Sequence, residues 1–220
     1  MDLFPLYNSI RIALISTIFI FFLGIFLAYK IKDLPQGIKG ILDVILTLPL
    51  VLPPTVLGFF LLKLLGPNKF LGKFFGRFDI KLVMNWQAAV VAGILVGFPL
   101  MYRTSRGAFE AFDENLQYAA QTLGKSDTRI FWRIILPNCK GEIIAGLILS
   151  FARVLGEYGA TSMVSGFIPN KTATISTTVY QLWRIGQDQL AYKWVMINVL
   201  ISFVVLISIN FFEKRKASLC

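Results

Sequence analysis

Residues 112–137 read FDENLQYAAQTLGKSDTRIFWRIILP, a charged segment between strongly apolar ones. Phe112, Leu116, Ala119, Ala120 and Leu123 recur at helical spacing. Asp113 and Glu114 stand at the start of that pattern, where the helix dipole favours negative charge. Gly124 suits the position just past the helix end, because it can take positive φ. SDTRIFWRIILP then begins a second helix. Ser126 is its N-cap, Ile130, Phe131, Ile134 and Ile135 form one face, and Pro137 stops or redirects it. Two short charged helices meeting at a glycine are poorly suited to lipid, and they contain no catalytic dyad. Their physical use is a rigid lever, with small Ala119 and Ala120 on one arm and aromatic contacts on the other.

The chain around the lever is apolar. Of 220 residues, 56% are hydrophobic and 15% charged, against about 25% charged in soluble domains. Uncharged runs cover 12–29, 44–62, 82–102 and 194–212, each long enough to cross a hydrocarbon core of about 30 Å. A weaker run, IIAGLILSFARVLGEYGA (143–160), contains Arg153 and Glu157. These runs predict an all-α integral membrane protein with about five transmembrane helices, near 9–29, 41–65, 83–102, 142–163 and 192–212. Residues 1–220 read as one transmembrane domain, with the lever in the 103–141 connection. The first run is too long for a cleavable signal and lacks a small-residue cleavage site.

Lys and Arg concentrate in the 30–39 link, the 103–141 connection and the 213–216 tail. The positive-inside rule makes that side cytoplasmic, with the N-terminus outside and the C-terminus in the cytoplasm. The net charge of +10 is then an expression of orientation, and nucleic acid is not expected as a partner. Cys139 and Cys220 offer no disulfide framework, and histidine, the commonest general base and metal ligand, is absent. No metal site is expected.

Two outer links are too long for simple turns. KFLGKFFGRFDIK (69–81) spaces its cations every four residues with phenylalanines between. It reads as a surface helix, either a membrane anchor or a basic rim for an anion or acidic partner. In the 164–191 link, the apolar stretch from Ile175 to Ile185 is too short to span and predicts an external or re-entrant helix. The second run holds a further anomaly. LTLPLVLPPTVLGFFLL (46–62) places Pro49, Pro53 and Pro54 inside an otherwise lipid-compatible stretch, and proline costs about 3 kcal/mol in a helix interior.

The lever resembles the cytoplasmic loop of ABC-importer permeases. The family pattern is Glu-Ala-Ala, three residues, Gly, nine residues, then Ile-x-Leu-Pro. Ala119, Ala120, Gly124, Ile134, Leu136 and Pro137 fall in register, and Tyr118 stands where the pattern has glutamate. LPLVLPPTVLGFFLL, FARVLGEYGAT (151–161) and IPNKTATISTTVYQL are similar to segments of permeases for molybdate, tungstate and sulfate, with Tyr158 at the family's aromatic position and Asn170 in place of a glycine. The resemblance implies a type I (MetI-like) importer permease fold. It implies uptake of molybdate or tungstate, with sulfate or thiosulfate as the alternative. The chain would be non-catalytic and bind no cofactor, while two copies of a separate cytoplasmic ATPase consume ATP with Mg. The implied partners are a second copy of the chain, forming a homodimer, and an extracytoplasmic oxyanion-binding protein.

Within that frame the prolines acquire a reading. Broken helices are tolerated where backbone is buried in protein or lines a watery cavity, and transporters use them to present backbone to substrate. Pro53 and Pro54 would bend the helix toward the pathway, with Gly58 admitting a close neighbour. A kinked packing helix with no substrate role is the plain alternative. Stripping water from a dianion needs replacement donors; Thr55, Thr161, Ser162 and helix-end N–H groups are the candidates. Arg153 and Glu157 share a helix face. They read either as a structural pair or gate latch, or as an anion site built on Arg153; with Pro53, Pro54, Thr55, Tyr158, Gly159 and Thr161 they make up the expected substrate pathway or gate. No Walker motif is present. A passive anion channel and an intramembrane enzyme are the distant alternatives; with no histidine and one acidic residue deep in the fourth span, the second lacks a positioned base.

Overall fold

Leu52 and Pro53 both adopt extended backbone, with ψ of 139° and 136°. Each precedes a proline, and the proline ring forces its predecessor out of helical conformation. The chain therefore breaks in two there, and the flanking helices meet at 110°. The computed structural model describes residues 2–69, 72, 73, 77 and 82–217, with side chains as far as 208. Its helices are α1 (Phe4–Lys32), α2 (Gln36–Val51), α3 (Pro54–Leu65), α4 (Trp86–Glu110), α5 (Glu114–Thr122), α6 (Asp127–Ile130), α7 (Leu136–Asn138), α8 (Lys140–Leu155), α9 (Gly159–Val164), α10 (Ile175–Arg184) and α11 (Asp188–Ala217). A π-helical turn, Phe131–Ile135, joins α6 to α7. The reading of 69–81 as a surface helix falls largely on residues outside those described, as does Cys220.

The centre of the fold is a three-helix stack of α1, α4 and α8. Small residues set its spacing. A Cβ added to Gly93 would meet Val154 at 2.7 Å and the Ser16 hydroxyl at 2.8 Å; one added to Gly97 would meet Ile20 and Val154, each at 2.8 Å. Two glycines one turn apart thus let α4 lie against α1 and α8 together, as small residues do at helix contacts in lipid. Hydroxyls seal the same contacts, Ser16 donating to the Val90 carbonyl (3.1 Å) and Ser150 to that of Gly97 (3.2 Å). Asn85 caps α4 by accepting the Ala88 N–H at 2.7 Å.

Among the described residues three helices, α1, α4 and the Asp188–Ser208 part of α11, are long and apolar enough to cross a membrane. The count rises to five if each bent pair, α2 with α3 and Asp127–Asn138 with α8, is one span. The break expected within the 41–65 span is present, as two helices divided at Leu52 and Pro53. One expectation needs correction. The span expected over 142–163 ends as a helix at Leu155 and resumes only as the short α9. The interruption, Gly156–Tyr158, is held by the Glu157 carboxylate, which accepts the Ala160 N–H at 2.8 Å and so starts the next helix. Outside the stack, α11 turns Met196, Leu200, Phe203 and Val204 outward, as expected of a helix against acyl chains.

Candidate functional site

Three regions carry the features from which function can be read. The first is the lever. Asp113 caps α5 by accepting the Asn115 N–H at 2.9 Å, and Gly124 ends the turn after it with φ of +71°. Such a φ is costly for residues with a Cβ. The second arm, Asp127–Asn138, meets α8 at 74° around Cys139. Pro137 thus sits at a redirection of the chain. Ser126 occupies the N-cap position, but its hydroxyl makes no cap bond.

Within α5 the expected apolar face divides. Ala120 is buried and Phe112 half-buried, while Leu116, Ala119 and Leu123 are exposed, Leu123 to 75%. The lever therefore carries an apolar stripe that is uncovered among the described residues. On the second arm Ile130 and Ile135 are each 1% exposed, Ile134 and Leu136 half-buried. This arm is clamped to the membrane helices by three rings. Phe131 lies 4.6 Å from Tyr29 and 6.2 Å from Phe109, and Tyr29 lies 5.7 Å from Phe109. Tyr118, at the position where the pattern has glutamate, donates its hydroxyl to Glu114 at 3.2 Å. That bond and the carboxylate charge push the phenol above its ordinary value.

The second region joins the two broken segments. Gly159 packs against Pro54 and Thr55: a Cβ there would meet Pro54 Cβ at 2.9 Å and Thr55 N at 3.2 Å. Gly58, one turn further along α3, faces Ala160 and Met163. The structure therefore brings Pro54, Thr55, Tyr158, Gly159 and the buried Thr161 into one neighbourhood, with Pro53 at its edge. Arg153 Nη1 donates to Glu157 Oε2 at 2.8 Å, and the other Glu157 oxygen takes the Ala160 N–H. Glu157's side chain is 2% exposed and Arg153's 35%. Both oxygens of the carboxylate are thus engaged inside the chain. Of the candidate donors, Thr55 is exposed, whereas the Ser162 hydroxyl donates to the Gly159 carbonyl at 3.0 Å. The start of α3 is poor in N–H groups, because positions 53 and 54 are prolines. The Tyr158 ring lies 5.2 Å from Tyr180, which lies 5.9 Å from Trp183, so α10 is tied to the break by aromatic contact.

The third region was not anticipated. At the other end of α2, Asp43 pairs with Arg106 and accepts the Tyr102 hydroxyl, and Lys39 pairs with Glu110. Arg106 also donates to Glu110 at 3.0 Å. Partial burial pushes the Glu110 carboxyl upward, but hydrogen bonds and charge from Lys39 and Arg106 outweigh it and hold it below the usual carboxylate range. The sequence carries half of the signal: Lys39 and Asp43 are four apart, as are Arg106 and Glu110. Helical spacing suggests pairs within each helix. Instead Lys39 and Asp43 both reach across to α4.

Comparison with known proteins adds the family. Residues 13–218 match the model for binding-protein-dependent transport system inner membrane components. The molybdenum transport system permease protein ModB of Escherichia coli K12 is 37% identical over 90% of this chain and 88% of its own length. The sulfate transport system permease protein CysW of Synechocystis is 33% identical over 78% of this chain and 62% of its own. Among solved structures, the MetNI methionine ABC transporter in inward-facing conformations shares the fold, with TM-score 0.74 at 13% identity over 96% of this chain and 94% of that one.

Proposed function

The chain belongs to the family of binding-protein-dependent transport system inner membrane components, and on that premise we propose that it is the permease of an ATP-driven importer for molybdate, with tungstate as a further substrate. The observation that carries this reading is the 37% identity to a molybdenum permease across 90% of the chain. The whole chain acts as one transmembrane domain, and two copies form a homodimer with the pathway at their shared axis. The N-terminus lies outside and the C-terminus in the cytoplasm. An extracytoplasmic protein delivers the oxyanion.

Two cytoplasmic ATPase subunits dock on the two levers of the complex, one per chain. Its contact surface is the exposed stripe of Leu116, Ala119 and Leu123, with Ala120 and Gly124 setting the shape of the arm. ATP, with Mg, is bound and hydrolysed by those subunits. Their closure pushes the levers together. The ring clamp of Tyr29, Phe109 and Phe131, with Ile134, Leu136 and Pro137 behind it, passes that movement to α1, α4 and α8. The pathway then opens outward, receives the anion, and reverts after hydrolysis.

The broken segments, Pro53–Thr55 and Tyr158–Thr161, form the pathway wall or gate. The engaged Glu157 carboxylate favours Arg153 and Glu157 as a latch that holds the second break, over an anion site on Arg153.

A sulfate permease is the second reading, favoured by the 33% identity to CysW. The deciding experiment is ATPase activity of the reconstituted complex with its cognate binding protein, titrated separately with molybdate, tungstate and sulfate. Stimulation by molybdate or tungstate, with sulfate inert, is the expected result. Stimulation by sulfate alone would overturn the molybdate assignment and leave the importer intact.

A further inference from the structure

The polar network between α2 and α4 lines a cavity of about 440 Å³, walled by Asp43, Thr47, Arg103, Arg106 and Glu110. Its position follows from α2 itself. Thr47 is six residues from Pro53, about 9 Å along a helix, so the cavity lies on the cytoplasmic side of the proline break. An ion leaving the neighbourhood of the broken segments along α2 arrives here.

Its charges do not cancel. Three cations, Lys39, Arg103 and Arg106, stand beside two carboxylates, Asp43 and Glu110. Arg106 binds both carboxylates and Lys39 binds Glu110, while exposed Arg103 makes no ion pair among the described residues. One positive charge is left over, and it faces the cavity. The wall is also free to part. α2 has no fully buried side chain and sets only half-buried Leu42 and Leu46 against the core at this end, so polar ties add to what holds its cytoplasmic end to α4.

We propose that this cavity is an exit site for the oxyanion, with Arg103 as the cation the ion meets first and with Arg106 and Lys39 held in reserve by Asp43 and Glu110. The site rests on the oxyanion reading above. Conduction requires binding strong enough to admit an ion and weak enough to release it. Bare arginines would hold a dianion. A fully matched set of charges would offer it nothing. Here the anion borrows the cations from two carboxylates that stand ready to take them back, and their return helps to expel it.

The test uses the complete complex in vesicles, with Thr47→Cys as a reporter in a Cys220→Ser background; Cys139 is buried. Neutral N-ethylmaleimide is applied from the cytoplasmic face, with molybdate or sulfate titrated against chloride at equal ionic strength. The expected result is slower labelling as oxyanion rises. Arg103→Gln abolishes that protection, and Asp43→Asn, which uncovers Arg106, lowers the half-protecting concentration by roughly fivefold, the size of one exposed ion pair. Binding-protein-stimulated ATPase activity is measured in the same preparations. Stimulation by oxyanion without protection overturns the exit site alone, as does protection that survives Arg103→Gln. Neither stimulation nor protection with any oxyanion overturns the substrate reading as well.

Discussion

Gly58 and Ala160 meet backbone to backbone: a Cβ on Gly58 would lie 3.0 Å from the Ala160 Cα and 2.7 Å from the Met163 Cβ. The contact joins the helix that follows one break to the helix that follows the other. Gly58→Leu has no room without moving α9, and overpacking of this kind costs about 1–3 kcal/mol. A lower thermal midpoint in detergent is expected, with transport lost and ATPase binding retained. An unchanged midpoint would mean that the two segments part more easily than the spacing implies.

Arg153 and Glu157 should show strong coupling. Removing the guanidinium with Arg153→Ala strands a buried carboxylate, at a cost of about 3–5 kcal/mol where such a pair is truly buried. Arg153 is one-third exposed, so the lower end applies. Glu157→Gln keeps an acceptor for the Ala160 N–H, and the double variant should recover much of the loss. A double-mutant cycle on thermal unfolding reads this directly, and additive losses would refute the pairing as a stabilising element.

The lever offers a cleaner separation of folding from assembly. Leu123 is 75% exposed, so Leu123→Asp should leave the chain folded while releasing the ATPase, as read by co-purification and by thermal unfolding of the permease alone. Gly124→Val acts differently. It forces a β-branched residue into φ of +71°, costs about 1–2 kcal/mol in the turn, and is expected to lower coupling between ATP hydrolysis and transport more than binding.

The tie between Lys39 and Glu110 has a defined pH dependence. The Glu110 carboxyl is held below its usual range in the folded chain. Its stabilising contribution is therefore complete above the unfolded value, about 4.3, and fades as pH falls through the lower folded value. The difference in thermal midpoint between wild type and Glu110→Gln should be flat from about pH 6 to 8 and shrink only in acid. A difference that changes near neutrality would assign the titration to another group.

Much of this architecture is written in local chemistry. The uncharged runs mark α1, α4 and α11, and the single residue Gly124 marks the bend of the lever, because its φ of +71° costs a glycine least. The depth of the first break is also encoded, since Leu52 and Pro53 each precede a proline, although the 110° angle depends on how α3 packs against α9. The second break was masked by the mostly apolar composition from Ile143 to Val164, in which Arg153 and Glu157 read as a pair on one helix face. The two glycines flanking Glu157 and Tyr158 were its local sign. The network of Lys39, Asp43, Arg106 and Glu110 was the least legible. Spacing shows which residues share a helix face, while the choice between a partner on that helix and one across a gap is made by tertiary packing.

The π-helical turn at Phe131–Ile135 turns the lever into a matter of counting. Such a turn adds residues to a helix without adding to its length in proportion, and it rotates all that follows about the axis. Ile130 and Ile135, five apart, are both buried for this reason. Deleting one residue between Asp127 and Pro137 would swing Pro137 and the start of α8 by about 100°, aiming a correctly composed arm in the wrong direction. In this window chain length is under tighter constraint than side-chain identity, and a single insertion or deletion is expected to do more harm than most substitutions.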